Sequence, residues 1–154
     1  MRTGVRLGVD VGSVRIGVAV SDADGLLATP VTVLRRDSRA ARDLGELAAL
    51  ASERGAVEVV VGLPTTLAGR SGAAAEAAAA YAVQLARETG LPVRLVDERL
   101  STVTASRAML AGGTSTRRQR QRVDAAAAAV ILQSALDEER STGRPPGRLA
   151  VDTP

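Results

Sequence analysis

The chain contains no cysteine, no histidine and no lysine, so all 20 of its basic residues are arginine. Without cysteine there are no disulfides and no thiolate nucleophile. Without histidine there is no imidazole general base and no zinc site of the Cys/His type. Aromatic residues make up 1% of the sequence, and Tyr81 is the single one. Base stacking on an aromatic platform, the common route to single-stranded RNA recognition, is therefore nearly excluded. No stretch approaches the roughly 18 apolar residues of a membrane span, and the start, MRTGVRLGVD, lacks the apolar core of a signal peptide. The expectation is a cytoplasmic protein with no membrane partner.

Charge of one sign is scarce in net terms. The formal net charge is only +3, although the sequence pI is near 10.8. With arginine as the only basic side chain, little titrates between neutrality and the arginine range, and a small surplus drags the pI far upward. Where the arginines stand says more than their total. At 154 residues and 45% apolar content the chain is expected to form one domain with a core of Val, Leu, Ile and Ala. That domain spans residues 1–139, and the end, RSTGRPPGRLAVDTP (residues 140–154), reads as a disordered tail.

The stretch that organises the rest is VRLGVDVGSVRIGVAVSD, Val5 to Asp22. At period two, Val5, Leu7, Val9 and Val11 point one way, and Arg6, Gly8, Asp10 and Gly12 the other. After a Gly12-Ser13 turn the pattern repeats, with Ile16, Val18 and Val20 opposite Gly17 and Ala19. This predicts a hairpin with one bulky face and one bare face. A carboxylate among glycines on a buried strand is costly unless a cation sits over it, and the missing side chains leave room for a metal or a phosphate. Asp10 is the leading candidate for a site.

Residues 26–34 (LLATPVTVL) predict a third strand, with Pro30 marking an edge or bulge. Asp37 or Ser38 is placed to cap a helix that buries Leu44, Leu47, Ala48 and Ala51 and stops at Gly55. The run 57–61 is apolar apart from Glu58, as in a strand covered on both sides. Ser71 caps a helix over residues 72–89, closed by Gly90 and Pro92. Residues 93–98 form a further strand, Ser101 opens a helix to about residue 111, and residues 116–139 form the last helix. Strands joined through helices imply parallel pairing with right-handed crossovers. The predicted fold is α/β: a mixed five-stranded sheet, with a 1-2-3 antiparallel meander plus parallel strands and helices on both faces.

Two more carboxylates stand where a carboxylate is awkward. Glu98 ends an apolar strand beside Asp97, and alternation puts the two on opposite faces, so only one can join Asp10. Asp124 shares a helical face with Ala127, Ala128, Ile131 and Ala135 and so projects toward the sheet. A strand-end acid is more often a cap or an ion-pair partner, and an acid in a helix's first turns is favoured by the dipole alone. Three acids converging from two strands and a helix, however, offer oxygen ligands suited to Mg²⁺ or Mn²⁺. Two such ions roughly 4 Å apart activate water and stabilise a leaving oxygen without histidine. Arg117, Arg118, Arg120 and Arg122 begin the same helix. Such a run is usually a solvated face, but within two turns of a metal ligand it also suits phosphates flanking a scissile bond.

Together these features resemble the YqgF/RuvX family of Holliday junction resolvases and pre-16S rRNA nucleases, within the RNase H-like superfamily. The matching blocks are DVGSVRIGVAVSD, VVVGLP, DERLST and RVDAAAAAVIL, in that order, covering about Val5 to Leu136. The resemblance implies an RNase H-like fold whose catalytic, metal-binding acids fall on Asp10, Glu98 and Asp124. It implies further that Arg15 and Arg99 help bind substrate, and that Gly12, Gly17, Gly62, Pro64, Ser101 and Thr102 line the site. The expected activity is metal-dependent endonucleolytic cleavage of structured nucleic acid, at the 5′ end of the small-subunit rRNA precursor. Expected partners are precursor rRNA or branched DNA, and ribosomal precursor particles, with the protein a monomer or a homodimer. The alternatives are a junction resolvase acting in DNA recombination and a non-catalytic RNA-binding assembly factor. A nucleotide-binding domain of the actin or sugar-kinase type also uses Asp-x-Gly at a hairpin, but this chain is too short for its two lobes.

Overall fold

The computed structural model describes residues 1–64, 72–98 and 117–151, with the side chains of residues 117, 120 and 121 outside that description. In chain order its elements are β1 (Val5–Val11), β2 (Arg15–Ser21), β3 (Ala28–Arg35), α1 (Arg42–Arg54), β4 (Ala56–Leu63), α2 (Ala73–Thr89), β5 (Val93–Asp97), α3 (Arg117–Thr142) and β6 (Arg148–Leu149). The strands form one mixed sheet in the order β3-β2-β1-β4-β5-β6. The meander β1-β2-β3 is antiparallel, while β1-β4 and β4-β5 are parallel. Pro30 stands on the edge strand where the β2-β3 register shifts, as a residue without an N–H must.

Each face of the sheet carries its own core, and the alternation of the strands decides which helix covers it. Leu7, Val9, Ile16, Val18, Val59, Val61 and Leu95 pack beneath α1 and α2 against Leu47, Tyr81 and Leu85. Ala19, Val60 and Val96 meet Ala128, Ile131, Leu132 and Leu136 of α3 on the other face. The apolar stretch Val59 to Val61 is thus explained by burial on both sides, while Val57 is exposed.

Two expectations need correction. The α1 helix is not capped by Asp37 or Ser38. Its cap residue is Ala41, at φ 53°, with no side-chain hydrogen bond. Asp37 instead accepts the backbone N–H groups of Arg39 and Ala40, closing a turn ahead of the helix, a local alternative that short acidic side chains commonly offer the backbone. Nor is residue 140 the start of a disordered tail. The α3 helix runs on to Thr142, and Arg148 and Leu149 pair antiparallel with β5 as a sixth strand. A two-residue strand between prolines and glycines has no periodicity to betray it. It is held by Ala150 N–H donating to the Val93 carbonyl at 2.8 Å. The expected cap at Ser71 and the helix expected from Ser101 lie outside the described residues.

Away from the Asp10 end of the sheet, the α3 face holds a buried ionic network. Arg6 and Glu139 are ion-paired at 3.2 Å with side chains 1% and 3% exposed, and Arg2 forks onto both oxygens of Glu58 at 3.0 Å. Arg2 also reaches Glu139, and Arg94 reaches Glu58 at 2.9 Å. The network ties the N-terminus, β4, β5 and the end of α3 together. Each carboxylate meets two guanidiniums, as buried charge requires.

Candidate active site

Asp10 is buried, and its place is set by the strands on either side of it. In the β1-β2 ladder it stands directly opposite Gly17. The parallel β1-β4 ladder pairs Val9 with Val61, so the next step sets Asp10 alongside Gly62. Asp10 therefore lies between two glycines, on the face covered by α3.

Those glycines are not vacancies for an ion. A Cβ at Gly17 would run into the backbone carbonyl oxygen of Asp124, and one at Gly8 would lie 2.7 Å from the Leu132 Cβ. At Gly62 it would meet the Ile131 Cδ1 at 2.7 Å and the Glu98 Cγ at 3.2 Å. The bare face of the hairpin is the seat of α3, whose backbone comes closer than any side chain on the sheet would permit. Asp124 thus lies over Gly17, Glu98 lies over Gly62, and Asp10 emerges between them.

Glu98 follows the last residue of β5 and is buried, with its Cγ near Gly62, while Asp97 is exposed. Burial pushes the Glu98 carboxyl above the ordinary glutamate range, and the nearby Asp97 charge adds to the rise. A cavity of about 410 Å³ runs from Glu98 between β5 and α3, past Ser134 and Glu138, and neither Asp10 nor Asp124 lines it.

Asp124 is half-buried and engaged. Arg15, the first residue of β2, donates from Nε to Asp124 Oδ2 at 2.7 Å. Arg15 is fixed through its backbone, since its carbonyl accepts the Gly12 N–H at 2.9 Å, and the Gly12 carbonyl in turn accepts from Arg36. Arg36 stacks on the Tyr81 ring, 4.8 Å from its centroid, and Tyr81 O–H donates to buried Asp43 at 2.8 Å. The hairpin turn beside the acids is thereby anchored to α1 and α2. Sequence reasoning missed this chain of contacts, although a lone tyrosine opposite a buried Asp43 in the α1 stripe was a usable signal.

Asp10, Glu98 and Asp124 are brought to one strip of sheet, but they do not form a closed cage. Among the described residues no group of three or more His, Cys, Asp or Glu is disposed to hold a metal ion. Of the other expected site residues, Gly12 and Arg15 flank the hairpin turn and Pro64 follows β4. Arg118 and Arg122 are exposed on the first turns of α3. Arg117 and Arg120 belong to the α3 backbone, but their side chains are outside the described set, and Arg99, Ser101 and Thr102 lie outside the described residues altogether.

A family model described as RuvX, Holliday junction resolvase, matches residues 4–138. A protein of Mycolicibacterium paratuberculosis is 57% identical over 145 residues, 94% of this chain and 86% of its own length, and one of Clavibacter michiganensis is 50% identical over 149 residues, 97% and 92%. Both carry the printed name "Putative pre-16S rRNA nuclease". Among solved structures, Thermus thermophilus RuvC in complex with Holliday junction substrate superposes with a TM-score of 0.57 over 90% of this chain and 97% of that one. At 18% identity it attests the shared fold. With the family model spanning most of the chain and relatives at half identity or more along its length, this chain belongs to the RuvX family.

Proposed function

We propose that the chain is a metal-dependent endonuclease that cleaves structured RNA, trimming the 5′ end of the 16S rRNA precursor in the cytoplasm. The observation that carries the proposal is the placement of Asp10, Glu98 and Asp124 along the Gly17–Gly62 strip, on the face that α3 covers. The family and the names of its members supply the substrate class.

The donor set fits a hard divalent ion. It offers carboxylate oxygens alone, with no nitrogen or sulfur to favour zinc or copper, and so suits Mg²⁺ or Mn²⁺. Asp10, Glu98 and Asp124 would hold it, after Asp124 gives up Arg15. Bound there, the ion supplies an activated water and a counter-charge for the leaving oxygen of a phosphodiester. The protein's own groups do the rest. The α3 helix, seated on Gly17, fixes the backbone of Asp124 to the sheet. Burial beside Ile131 makes the charged form of Glu98 costly and holds its carboxyl above the ordinary range. Arg118 and Arg122 stand where phosphates on either side of the scissile bond would pass, holding backbone without reading sequence.

A second reading, favoured by the description of the family model, is cleavage of four-way DNA junctions. Two symmetric cuts need two sites and hence a dimer. The deciding experiment incubates the purified chain with precursor 16S rRNA and with a four-way DNA junction, with and without Mg²⁺, while light scattering follows its mass. Precursor cleavage by a monomer supports the RNA reading, and junction cleavage by a dimer replaces it. Tight binding of precursor without cleavage would mark a non-catalytic assembly factor.

A further inference from the structure

Among the described residues, all but one of the exposed large apolar side chains lie away from the acids. Met1 lies over Gly25, Leu26 and Leu27 belong to the β2-β3 connection, Val57 sits beside Gly4, and Val151 follows Ala150, which bonds to Val93. Those residues stand at the end of the sheet where β1 begins. Val14, 53% exposed in the β1-β2 turn, stands by itself at the other end, where Asp10 lies.

That position is unusual for valine. Turns favour glycine, asparagine, aspartate or serine, and an exposed aliphatic branch there gains nothing from the fold. Nor is the turn loose. The Arg15 carbonyl accepts the Gly12 N–H at 2.9 Å, the Val14 carbonyl accepts the Arg36 N–H at 2.9 Å, and Arg36, stacked on Tyr81, donates to the Gly12 carbonyl at 3.1 Å. A β-branched side chain on a braced turn has little rotamer freedom to lose on contact. Its surroundings are cationic. Arg15 follows it, and Arg35, opposite Arg15 in the β2-β3 ladder, is exposed with no ion pair among the described residues. An apolar point rimmed by guanidiniums is complementary to a polyanion with apolar layers inside, which is a stacked nucleic-acid strand.

We propose that Val14 is a wedge that enters between two bases of structured RNA beside the cleavage point, with Arg35 holding a phosphate of the opened strand. The inference rests on the nuclease reading and adds to it a preference for RNA already bulged or mispaired there, where unstacking costs least. The turn begins at Gly12, so at about 3.3 Å per residue its tip stands roughly 7–10 Å along the strand from Asp10, or about two or three nucleotides of backbone.

The test binds the intact chain, in buffer free of divalent ions, to a short RNA duplex with a single bulged nucleotide beside 2-aminopurine, and to the fully paired duplex. The natural chain should raise the 2-aminopurine emission and prefer the bulged duplex about three- to ten-fold, the worth of covering half a valine side chain. Val14→Ser leaves the backbone bonds of the turn in place, and its folding is checked by thermal melting. It should bind the two duplexes equally and lose the emission rise, while Val14→Leu keeps both responses. Arg35→Ala should weaken both duplexes alike and flatten the salt slope by about one unit. An unaltered slope would overturn the phosphate role of Arg35. An emission rise that Val14→Ser retains, a natural chain with neither rise nor preference, or one that binds neither duplex would each overturn the wedge. Mg²⁺-dependent cleavage of precursor 16S rRNA by the same protein would then leave the nuclease reading standing, and its absence would overturn both.

Discussion

The backbone carbonyl of Asp124 rests on Gly17, the residue that stands opposite Asp10 in the sheet. One glycine therefore sets both the depth of the last helix and the separation of two of the three acids. A change there should act on stability and on the site at once.

Gly17→Ala and Gly62→Ala separate these effects, because the obstacle differs. At Gly17 a methyl meets backbone, which has nowhere to go. At Gly62 it meets chiefly the tip of the Ile131 side chain, which can change rotamer. Urea unfolding should show Gly17→Ala losing about 1–3 kcal/mol, as overpacked sites do, and Gly62→Ala distinctly less. Equal losses would mean that α3 is not seated as described.

Tyr81 reports on the anchor of the hairpin turn. Its phenol is buried and bonded to Asp43, and both burial and that carboxylate push its ionisation well above the ordinary tyrosine range. A raised folded-state value means that stability is intact below the unfolded pKa, near 10, and falls as pH rises beyond it. Ultraviolet titration should find no phenolate in the folded protein near pH 10. Tyr81→Phe should cost about 1–3 kcal/mol by removing the donor to Asp43 Oδ2, which leaves that buried carboxylate only the Asp37 N–H among the described residues, and should also remove the alkaline phenolate signal. Titration at the ordinary tyrosine value would place the side chain in solvent.

Asp10→Asn removes a charge and keeps the shape of a buried side chain. Cleavage should fall to background with the Mg²⁺-free melting temperature nearly unchanged, since asparagine keeps the volume of the buried side chain. Asp10→Asn protein that still cuts in a Mg²⁺-dependent manner would remove Asp10 from the proposed centre.

Arg118 and Arg122 are exposed and one helical turn apart. Their joint replacement by alanine should weaken nucleic-acid binding about equally for different sequences. It should also flatten the dependence of log K on log salt by about one unit per arginine. An unaltered salt slope would return them to an ordinary solvated face.

The fold was legible where side-chain period is strict: the hairpin, the doubly buried β4 and the apolar stripe of α3 could each be read from spacing alone. The glycines were legible as a bare face, but not in their purpose. Emptiness on a strand looks the same whether it awaits an ion or a helix, and only packing showed that α3 fills it. Along β5 and just beyond it, Glu98 is buried and Asp97 exposed. What sequence could not show was long-range pairing. Arg15 with Asp124, Arg6 with Glu139 and Tyr81 with Asp43 are 109, 133 and 38 residues apart, and nothing local marks either partner. The sixth strand escaped for a different reason, being too short to carry a period.

The central claim is that Asp10, Glu98 and Asp124 share a divalent ion, and the most direct measurement is a crystal of the chain soaked in Mn²⁺ with anomalous data. The account predicts a manganese peak within about 2.5 Å of carboxylate oxygens from these acids, with the Asp124 side chain turned away from Arg15. Three unliganded carboxylates with Arg15 still bonded to Asp124, in crystals whose soak holds ample Mn²⁺, would contradict it.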